Sequence, residues 1–400
     1  MHGNEQIIVS SNRRDVAISR SIYEQLLETS IARRLAPYER GKLSGRISLN
    51  ELKALAQKAE IPWPLFFGTE ILVNEQIRQR DLQVNGILDN RQFPFQARGE
   101  VNIGDIVLLI RNLQRKQELF KKHKIVENSN SFNGFLKKSL KSLEEQGHEF
   151  RTELNYSAED LWPLNKGDAL SFLIDKIELR GILVAEYSKD FMPQSFSNKV
   201  RFSGFVLKDP RMPFIYVNGR DETDTFEPIG RRIFTLTLLA SCIAKAKYRL
   251  VSYSSESVIP VENTVFELTE EILMPRESFV DEQLHSLNDV RSCSDKYCVT
   301  PTAVLVRATR LNLISRELAI SYHETLAEDF RRSKDTFRAR HPKETTGFKK
   351  FNGLTCSTYI YQLLDSHRID SGVAKNLLFH GKIKSDSFLE EYRSACEQGR

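Results

Sequence analysis

The side chains best suited to catalysis in this chain of 400 residues are its histidines and cysteines, and their spacing decides what chemistry they offer. A catalytic zinc ion needs three protein ligands, and two of them commonly come from one helix at a separation of four residues. Cys293 and Cys298 are the closest cysteine pair, and no second pair completes a thiolate site. No two histidines are three or four residues apart; they are His2, His123, His148, His285, His323, His341, His367 and His380. Spacing alone therefore predicts no zinc site.

Other catalytic signatures are missing from the sequence as well. The G-x-S-x-G turn of serine hydrolases does not occur, and GKLSG at 41–45 has a different spacing. Neither the phosphate loop G-x-x-x-x-G-K-[ST] nor the dinucleotide turn G-x-G-x-x-G is present. We therefore expect no cofactor and no bound metal.

Two basic segments offer contacts to nucleic-acid phosphates. The first is ETSIARRLAPYERGK (28–42), where the start of a recognition helix would face the major groove. The second is RRSKDTFRARHPK (331–343), whose cations suit phosphates. Each segment also has an interpretation without nucleic acid. The first could belong to a helical domain that packs on the rest of the chain, and the second could be a charged, solvated helix end. The candidate contacts are Arg33, Arg34, Arg40, Lys42, Arg331, Arg332, Arg338 and Arg340.

Composition places the chain among ordinary globular proteins. Charged residues make up 28% and the formal net charge is +5, which predicts local basic patches rather than a wholly basic surface. The N-terminal stretch MHGNEQIIVSS has no apolar leader, and no apolar run reaches the roughly 20 residues of a membrane span. The five cysteines are scattered. We expect a reduced, cytoplasmic protein with no membrane partner.

Hydrophobic periodicity predicts how the first 160 residues are organised. Helical spacing of Ile18, Ile22 and Leu26 predicts that the first 70 residues are helical. Ser48 and Glu51 predict a capping box that opens a further helix. An amphipathic helix is predicted over 101–123, and the polar segment ENSNSFNG at 127–134 is a candidate boundary.

After residue 165 the sequence pattern changes from mainly helical to a mixture of helices and strands. A helix leads to the strand ILVAEY, and KVRFSGFVLKD and PFIYVNGR are two further strands. The apolar stretch FEPIGRRIFTLTLLASCIAKAKY at 226–248 then predicts a helix, and Pro275 ends another. After residue 285 the pattern is helical again, with Thr300 and Pro301 as an N-cap and a first-turn proline.

The order of these elements resembles the ImmA/IrrE family of zinc metallopeptidases. In that family a strand with the pattern P-x-I-x-x-N precedes the zinc helix, and a second helix ends in LMP. This sequence has Pro213, Ile215 and Asn218, followed by IFTL at 233–236 and LMP at 273–275. Residues YERGK to WPLFF, within 38–67, resemble the second half of the Xre-type helix-turn-helix that often precedes the peptidase.

The resemblance places the family's HExxH zinc motif on LLASC at 238–242. Leu238 and Cys242 then stand at the histidine positions and Leu239 at that of the catalytic glutamate, while Glu262 matches the third ligand. One thiolate and one carboxylate do not make a stable zinc site, so the resemblance implies a peptidase fold without catalysis. The apolar residues also predict a buried helix in which leucines fill the space of imidazoles and metal. Glu262 has a second interpretation as a solvated acid near a helix start.

We therefore expect a catalytically inactive, metallopeptidase-like regulatory or adaptor protein that binds a protein partner. Family members cleave Xre-type repressors encoded beside them, so the resemblance implies such a repressor as the partner, in a mobile-element, phage-defence or toxin–antitoxin setting. Two alternatives stay open. One is a divergent metallo-endopeptidase that uses Glu262 and Cys242, and the other is a DNA-binding transcriptional regulator.

The predicted fold class is α+β. A mainly helical chain would surround a metallopeptidase-like core, in which a short antiparallel or mixed sheet packs on helices. The predicted domains are an Xre-like helical domain (1–75), a helical connector (76–160), the degenerate peptidase-like domain (161–285) and a C-terminal helical domain (286–400).

Overall fold

The chain folds as a mixed α+β protein in which helices predominate. The structure is a computed structural model. It describes residues 6–11, 14–28, 30–85, 106–194, 202–219, 227–248, 250–251, 263–334 and 342–398. These ranges contain seventeen α-helices and two small sheets.

The N-terminal residues form a three-stranded sheet covered by helices. Its strand order is β2-β1-β3, with β1 antiparallel to β2 and parallel to β3. The strands are β1 (Gln6–Ser10), β2 (Val16–Ser19) and β3 (Arg46–Ser48). The helices are α1 (Arg20–Glu28), α2 (Ala36–Ser44), α3 (Leu49–Lys58) and α4 (Glu70–Asn85). Their shared core contains Ile7, Val9, Tyr23, Leu52 and Phe66.

The prediction that the first 70 residues are helical is wrong in part, because three strands lie within them. Ile18 is buried in β2, and α1 begins only at Arg20. The helical spacing from Ile18 to Leu26 therefore runs across a strand–helix junction, and both elements turn an apolar side to the same core. The capping box is confirmed, since Ser48 accepts from the backbone of Glu51 and the Glu51 side chain accepts from that of Ser48.

A four-stranded sheet forms the centre of the remaining chain. The order is β4-β6-β5-β7; β4 is parallel to β6, and β5 is antiparallel to both neighbours. The strands are β4 (Leu183–Glu186), β5 (Gly204–Leu207), β6 (Phe214–Val217) and β7 (Leu250–Val251). The three strands and the apolar helix predicted between 182 and 248 are confirmed.

The helices around this sheet are mostly short. Six α-helices of the described ranges lie between residues 107 and 279. They are α5 (Val107–Lys122), α6 (Leu143–Glu153), α7 (Lys166–Leu179), α8 (Ile229–Ala244), α9 (Thr264–Leu273) and α10 (Arg276–Phe279). The later ones are α11 (Leu287–Lys296), α12 (Pro301–Arg310), α13 (Arg316–Lys334), α14 (Glu344–Asn352), α15 (Leu354–Asp365), α16 (Ser371–Phe379) and α17 (Asp386–Glu397). Thr300 caps α12 and Pro301 lies in its first turn, as predicted.

The central sheet separates two hydrophobic cores, because successive side chains of a strand point to opposite faces. Val184, Val206 and Ile215 face a core built with α6–α9, α11 and α12. Leu183 and Tyr216 face a core built with α5 and α14–α17. Residues from three of the predicted domains thus meet at one sheet, and the boundaries at 75, 160 and 285 stay predictions.

None of the helices that the structure describes has the length and apolar character needed to cross a bilayer.

Candidate functional site

Helix α8 carries the three residues that the resemblance places at the zinc motif. Leu238 is 1% exposed, and Leu239 and Cys242 are fully buried. The helix begins after Pro228, and all its residues except Ile229, Arg231 and Arg232 are buried. A helix that is apolar on every side belongs in a core. The prediction of a buried core helix at this position is therefore confirmed.

Direct packing fills the space between α8 and the sheet. Gly204 on β5 lies under Leu239: a Cβ atom at Gly204 would come 2.7 Å from Leu239 Cδ1 and 2.4 Å from the carbonyl oxygen of Tyr216. Such close approach needs a glycine, because any side chain would force the helix and the strand apart. The leucine side chain, rather than a polar ligand, is thus what α8 presents to the strand.

Polar and aromatic contacts join α8 to α9 on its other side. The hydroxyls of Thr269 and Ser241 lie 3.5 Å apart, and Thr269 Oγ1 also donates to the Val265 carbonyl at 2.7 Å. The rings of Phe234 and Phe266 are in contact, with centroids 5.8 Å apart. These contacts hold the two helices as one packed unit.

The donor set around α8 does not fit a zinc ion. Leu238 and Leu239 have no lone pair to offer, and Cys242 supplies one thiol. Within the described ranges, no group of three or more His, Cys, Asp and Glu residues could hold a metal ion. Glu262 lies outside the described residues, so its predicted role stays a prediction.

A buried cluster of ion pairs lies beside this helix pair, where α9 meets α12. Arg307 forms a salt bridge with Glu271, and its other nitrogen lies 3.8 Å from Glu270. Arg310 pairs with Glu270 at 2.7 Å and with Glu267 at 3.4 Å. Side chains of Arg307, Glu270 and Glu271 are at most 5% exposed. We call Glu267, Glu270, Glu271, Arg307 and Arg310 the α9–α12 ion cluster.

The surroundings of this cluster compensate its buried charges. Burial raises the pKa of the Glu270 carboxyl, although Arg310 and Arg307 oppose the shift. The guanidinium of Arg151 donates to the carbonyls of Glu271 and Ile272 at 3.0 and 3.1 Å, at the end of α9. Sequence reasoning missed the cluster; the available signal was an acidic pair, Glu270 and Glu271, within an otherwise apolar helix.

A second buried polar cluster lies where α5 and α7 meet the α14–α15 junction. Lys116 is fully buried; its amine donates to Asn352 Oδ1 at 2.7 Å and lies 4.9 Å from the centre of the Phe351 ring. Glu178 accepts from the backbone and hydroxyl of Thr355 at 3.1 and 2.9 Å. We call Lys116, Glu178, Asn352 and Thr355 the junction cluster.

Burial changes the titration of both charged groups in the junction cluster. It raises the pKa of Glu178 to about 7, against the effect of the hydrogen bonds from Thr355. It lowers the pKa of Lys116 to about 8. Neither group has a salt bridge in the described part of the chain. These two side chains change charge close to neutral pH.

The thiols of this protein are poor candidates for nucleophiles. All five cysteines are buried and free. Burial raises the pKa of Cys293 to about 12 and of Cys356 to about 11, and it also raises those of Cys298 and Cys396. Thiolates are the reactive form, so the raised pKa values of these four side chains disfavour nucleophilic attack at neutral pH.

The basic residues predicted to contact nucleic acid at the N-terminus lie near carboxylates. Arg40 on α2 pairs with Glu51 at 2.7 Å, and Lys42 pairs with Glu28 at 2.6 Å. The hydrogen bond from Lys42 lowers the pKa of Glu28, and the charge of Arg33 adds to the shift. Arg34 ends the short 3₁₀ turn Ile31–Arg34, and its side chain is outside the description. A surface depression of about 450 Å³ between α2 and β3 is lined by Arg40, Arg46, Glu51 and Leu43 among others.

The second predicted basic segment is described only at its start. Arg331 donates to the Ala327 carbonyl at 3.2 Å, and Arg332 lies 3.6 Å from Glu328. Both are exposed near the end of α13. Arg338 and Arg340 lie outside the described residues.

Comparisons with known proteins give no match. No protein-family model matches the sequence, and neither the curated proteins nor the solved structures contain a match. The resemblance to the ImmA/IrrE family therefore depends on the quoted motif residues alone.

Proposed function

We propose that this chain is a non-catalytic, metallopeptidase-like protein that acts by binding a protein partner. The observation that supports the proposal is the filling of α8: leucines occupy two of the motif positions, and one of them packs directly over Gly204. A scaffold of this kind keeps a rigid helix–sheet unit and offers no metal to activate water. By its resemblance, the proposed partner is an Xre-type repressor in a mobile-element, phage-defence or toxin–antitoxin setting.

Two of the outer strands, β3 and β4, have edges that are closed to strand addition. The outer edge of β3 is occupied by its own neighbours, because Ser44 Oγ accepts from the backbone of Arg46 and the Glu51 carboxylate accepts from that of Ser48. The outer edge of β4 is covered at Val184, whose backbone faces Glu178 and Gly353. Such covered edges discourage pairing with another chain.

Apolar side chains on the N-terminal unit are a better surface for a protein partner. Trp63 and Phe67 are 42% and 40% exposed, with ring centroids 6.0 Å apart. Ile71 and Leu72, at the start of α4, are 84% and 48% exposed. Clustered aromatic and aliphatic side chains are typical of binding hot spots. We call Trp63, Phe67, Ile71 and Leu72 the aromatic surface.

The test combines metal analysis with capture of a candidate repressor. We expect the purified protein to contain far less than one zinc per chain and to leave the repressor intact. We also expect Trp63→Ala with Ile71→Ser to reduce capture of the repressor at least tenfold. Leu43→Ser is the matched control, because Leu43 is 85% exposed and lies outside this surface.

Each outcome that contradicts the proposal is distinct. Stoichiometric zinc, or cleavage that a chelator stops, would establish the divergent endopeptidase. Capture that is unchanged in the double variant would exclude the aromatic surface. Binding of duplex DNA that Arg33→Ala and Arg34→Ala abolish would establish the alternative transcriptional regulator.

A further inference from the structure

A concentration of lysines surrounds the C-terminal end of α8. Three come from the loop before α6, one follows β5, and two follow α8 itself. We call this group the lysine surface: Lys137, Lys138, Lys141, Lys208, Lys245 and Lys247. None of these residues belongs to the basic segments that the sequence singled out.

Backbone and side-chain contacts bring the three chain segments together. Gly134 and Leu136 donate to the carbonyls of Ile243 and Ala244 at 3.0 and 2.9 Å, so the loop caps the last turn of α8. The Lys245 amine donates to Gln146, whose side-chain amide donates to the Lys141 carbonyl. These hydrogen bonds fix the loop against the end of α8, and its lysines Lys137, Lys138 and Lys141 are exposed.

Lys208, directly after β5, lies beside an aromatic ring at the same end of α8. The Lys208 amine lies 5.6 Å from the centre of the Tyr248 ring. The Tyr248 hydroxyl donates to Asn133 Oδ1 at 2.9 Å, and the Asn133 amide donates to the Asp209 carbonyl at 2.9 Å. Residues 133, 208 and 248 thus meet at one place on the surface.

Among the described residues, carboxylates form a salt bridge with one of these six lysines. Lys141 pairs with Glu149, and within the described ranges the other five lysines have no salt bridge. Asp209 is buried and pairs with Lys121, while its Oδ1 accepts from the backbone of Arg211. Burial and the charge of Lys247 both lower the pKa of the Lys245 amine. The charge of Lys247 therefore acts against that of Lys245 at this surface.

The chemistry of the surface decides which polyanion fits it. Leu140 is fully exposed, and it is the one large apolar side chain between the loop lysines. A protein hot spot needs several aromatic or arginine anchors, and stable membrane attachment needs more apolar contact than one leucine supplies. Nucleic-acid backbones need only correctly placed cations, because phosphate contacts alone supply sequence-independent binding.

We propose that the lysine surface binds the phosphate backbone of nucleic acid, independently of base sequence. This site lies apart from the aromatic surface, and the proposal does not depend on how a protein partner binds. Both strands of a duplex or one strand of an RNA present the same phosphate chemistry, and the experiment separates them.

The test measures binding of labelled random-sequence duplex DNA and single-stranded RNA by fluorescence anisotropy. Salt is varied between about 50 and 200 mM, because each phosphate contact contributes about −0.9 to the slope of log K against log salt on B-DNA and about −0.7 on single strands. The main variant changes Lys137, Lys138, Lys208 and Lys247 to Gln. The control changes Lys53, Lys58, Lys124 and Lys384, four lysines exposed elsewhere and outside both predicted basic segments, to Gln. Each variant removes four charges, so the net charge falls from +5 to +1 in both.

We expect the main variant to bind at least tenfold more weakly at 100 mM salt and to show a flatter salt slope, while the control keeps the wild-type slope. Lys137→Glu with Lys138→Glu, which lowers the net charge by the same four units at only two positions, should weaken binding in the same direction. Equal losses in both lysine-to-glutamine variants would overturn the proposal, because they would indicate a net-charge effect. It would equally fail if wild-type protein bound neither nucleic acid, or bound only vesicles rich in phosphatidylserine or only poly-glutamate.

Discussion

The α9–α12 ion cluster and the junction cluster are both buried, yet they balance their charges in different ways. In the first, three carboxylates face the guanidinium groups of Arg307 and Arg310, and Arg151 adds a cation at the end of α9. In the second, Lys116 and Glu178 are satisfied by neutral partners, an amide and a hydroxyl with its backbone. Both arrangements give their charged groups hydrogen-bond partners, although Arg307 Nε in the first has none among the described residues, and only the first pairs opposite charges.

This difference predicts how each cluster fails. A buried ion pair is tolerated because its members compensate one another, so loss of one member leaves an uncompensated charge. A buried ionisable group with neutral partners shifts its pKa instead, and stability then depends on pH. The ion cluster is therefore sensitive to single substitutions, and the junction cluster to pH and to backbone fit.

The largest effect is expected from Arg307→Met in the ion cluster. The change leaves Glu271 and Glu270 buried beside one fewer cation, which costs about 3–5 kcal/mol of the free energy of unfolding. Urea denaturation measures this loss. The double variant Arg307→Met with Glu271→Met should recover part of it, because both charges are then gone. Arg332→Ala, which removes an exposed pair, is the control and should change stability by less than about 1 kcal/mol. If Arg307→Met were as stable as Arg332→Ala, the buried carboxylates would not depend on Arg307 to balance their charge.

The next largest effect concerns the backbone at the junction. Gly353 has a φ of +75°, and a Cβ there would come 2.4 Å from the Val184 carbonyl oxygen and 2.6 Å from Glu178 Oε1. We expect Gly353→Ala to destabilise the protein by about 3 kcal/mol, since it adds a backbone clash to an unfavourable φ. Gly381→Ala is the matched control: its φ is +73°, but nothing lies within 4 Å of the added atom. Equal losses in the two variants, measured by thermal unfolding, would mean that the close approach to β4 contributes nothing.

The two clusters also show how far sequence reasoning reaches. Short-range signals predicted well: the strands around Phe205 and Ile215, the buried helix α8, and the capping box at Ser48 depend on neighbours within a few residues. The N-terminal sheet was missed because Ile18 fits a helical spacing with Ile22 although it lies in a strand.

Long-range pairings left no signal in the sequence. Glu178 and Thr355 are 177 residues apart, and Lys116 and Asn352 are 236 apart. Nothing in the local pattern of α5 or α7 indicates that a lysine or a glutamate there is buried, since both fall where a surface residue is equally acceptable. The lysine surface was missed for the same reason, because its members come from three separate segments. The role of Glu262 and the metallopeptidase resemblance stay predictions.

A pH dependence is expected from Glu178, and its sign follows from the raised pKa. Between pH 4.5 and about 7 the folded protein holds a proton on Glu178 that the unfolded chain has lost. Stability from this group is therefore present at low pH and is lost as pH rises through about 7. Glu178→Gln, which cannot ionise, should remove this contribution, so the variant gains on wild type by up to about 3 kcal/mol from pH 5 to pH 8.

Neighbouring groups make the comparison with the variant necessary. Burial also raises the pKa of Asp175, one turn earlier on α7, and lowers that of His380 well below its usual value. These groups titrate in both proteins, so the difference in unfolding free energy between wild type and Glu178→Gln isolates Glu178. A difference that stays constant from pH 5 to pH 8 would show that this carboxyl is solvated and titrates normally.

The smallest effect at neutral pH is expected from Lys116→Met. Burial of the amine lowers its pKa from 10.5 to about 8, so at pH 7 the folded protein holds a buried charge that has no salt bridge among the described residues. Replacing it with an apolar side chain of similar length removes that cost and also leaves Asn352 Oδ1 without its donor, and we expect the two effects to cancel to within about 1 kcal/mol.

The pH dependence of stability should change more clearly in Lys116→Met. Between about pH 8 and 10.5 the unfolded chain holds a proton that the folded protein has lost, so wild-type stability gains from this group as pH rises. Lys116→Met should lack that gain, and urea denaturation at pH 8 and pH 10 measures it. The same gain in both proteins would place the amine in water, and the contrast between compensated and uncompensated burial would then fail at this residue.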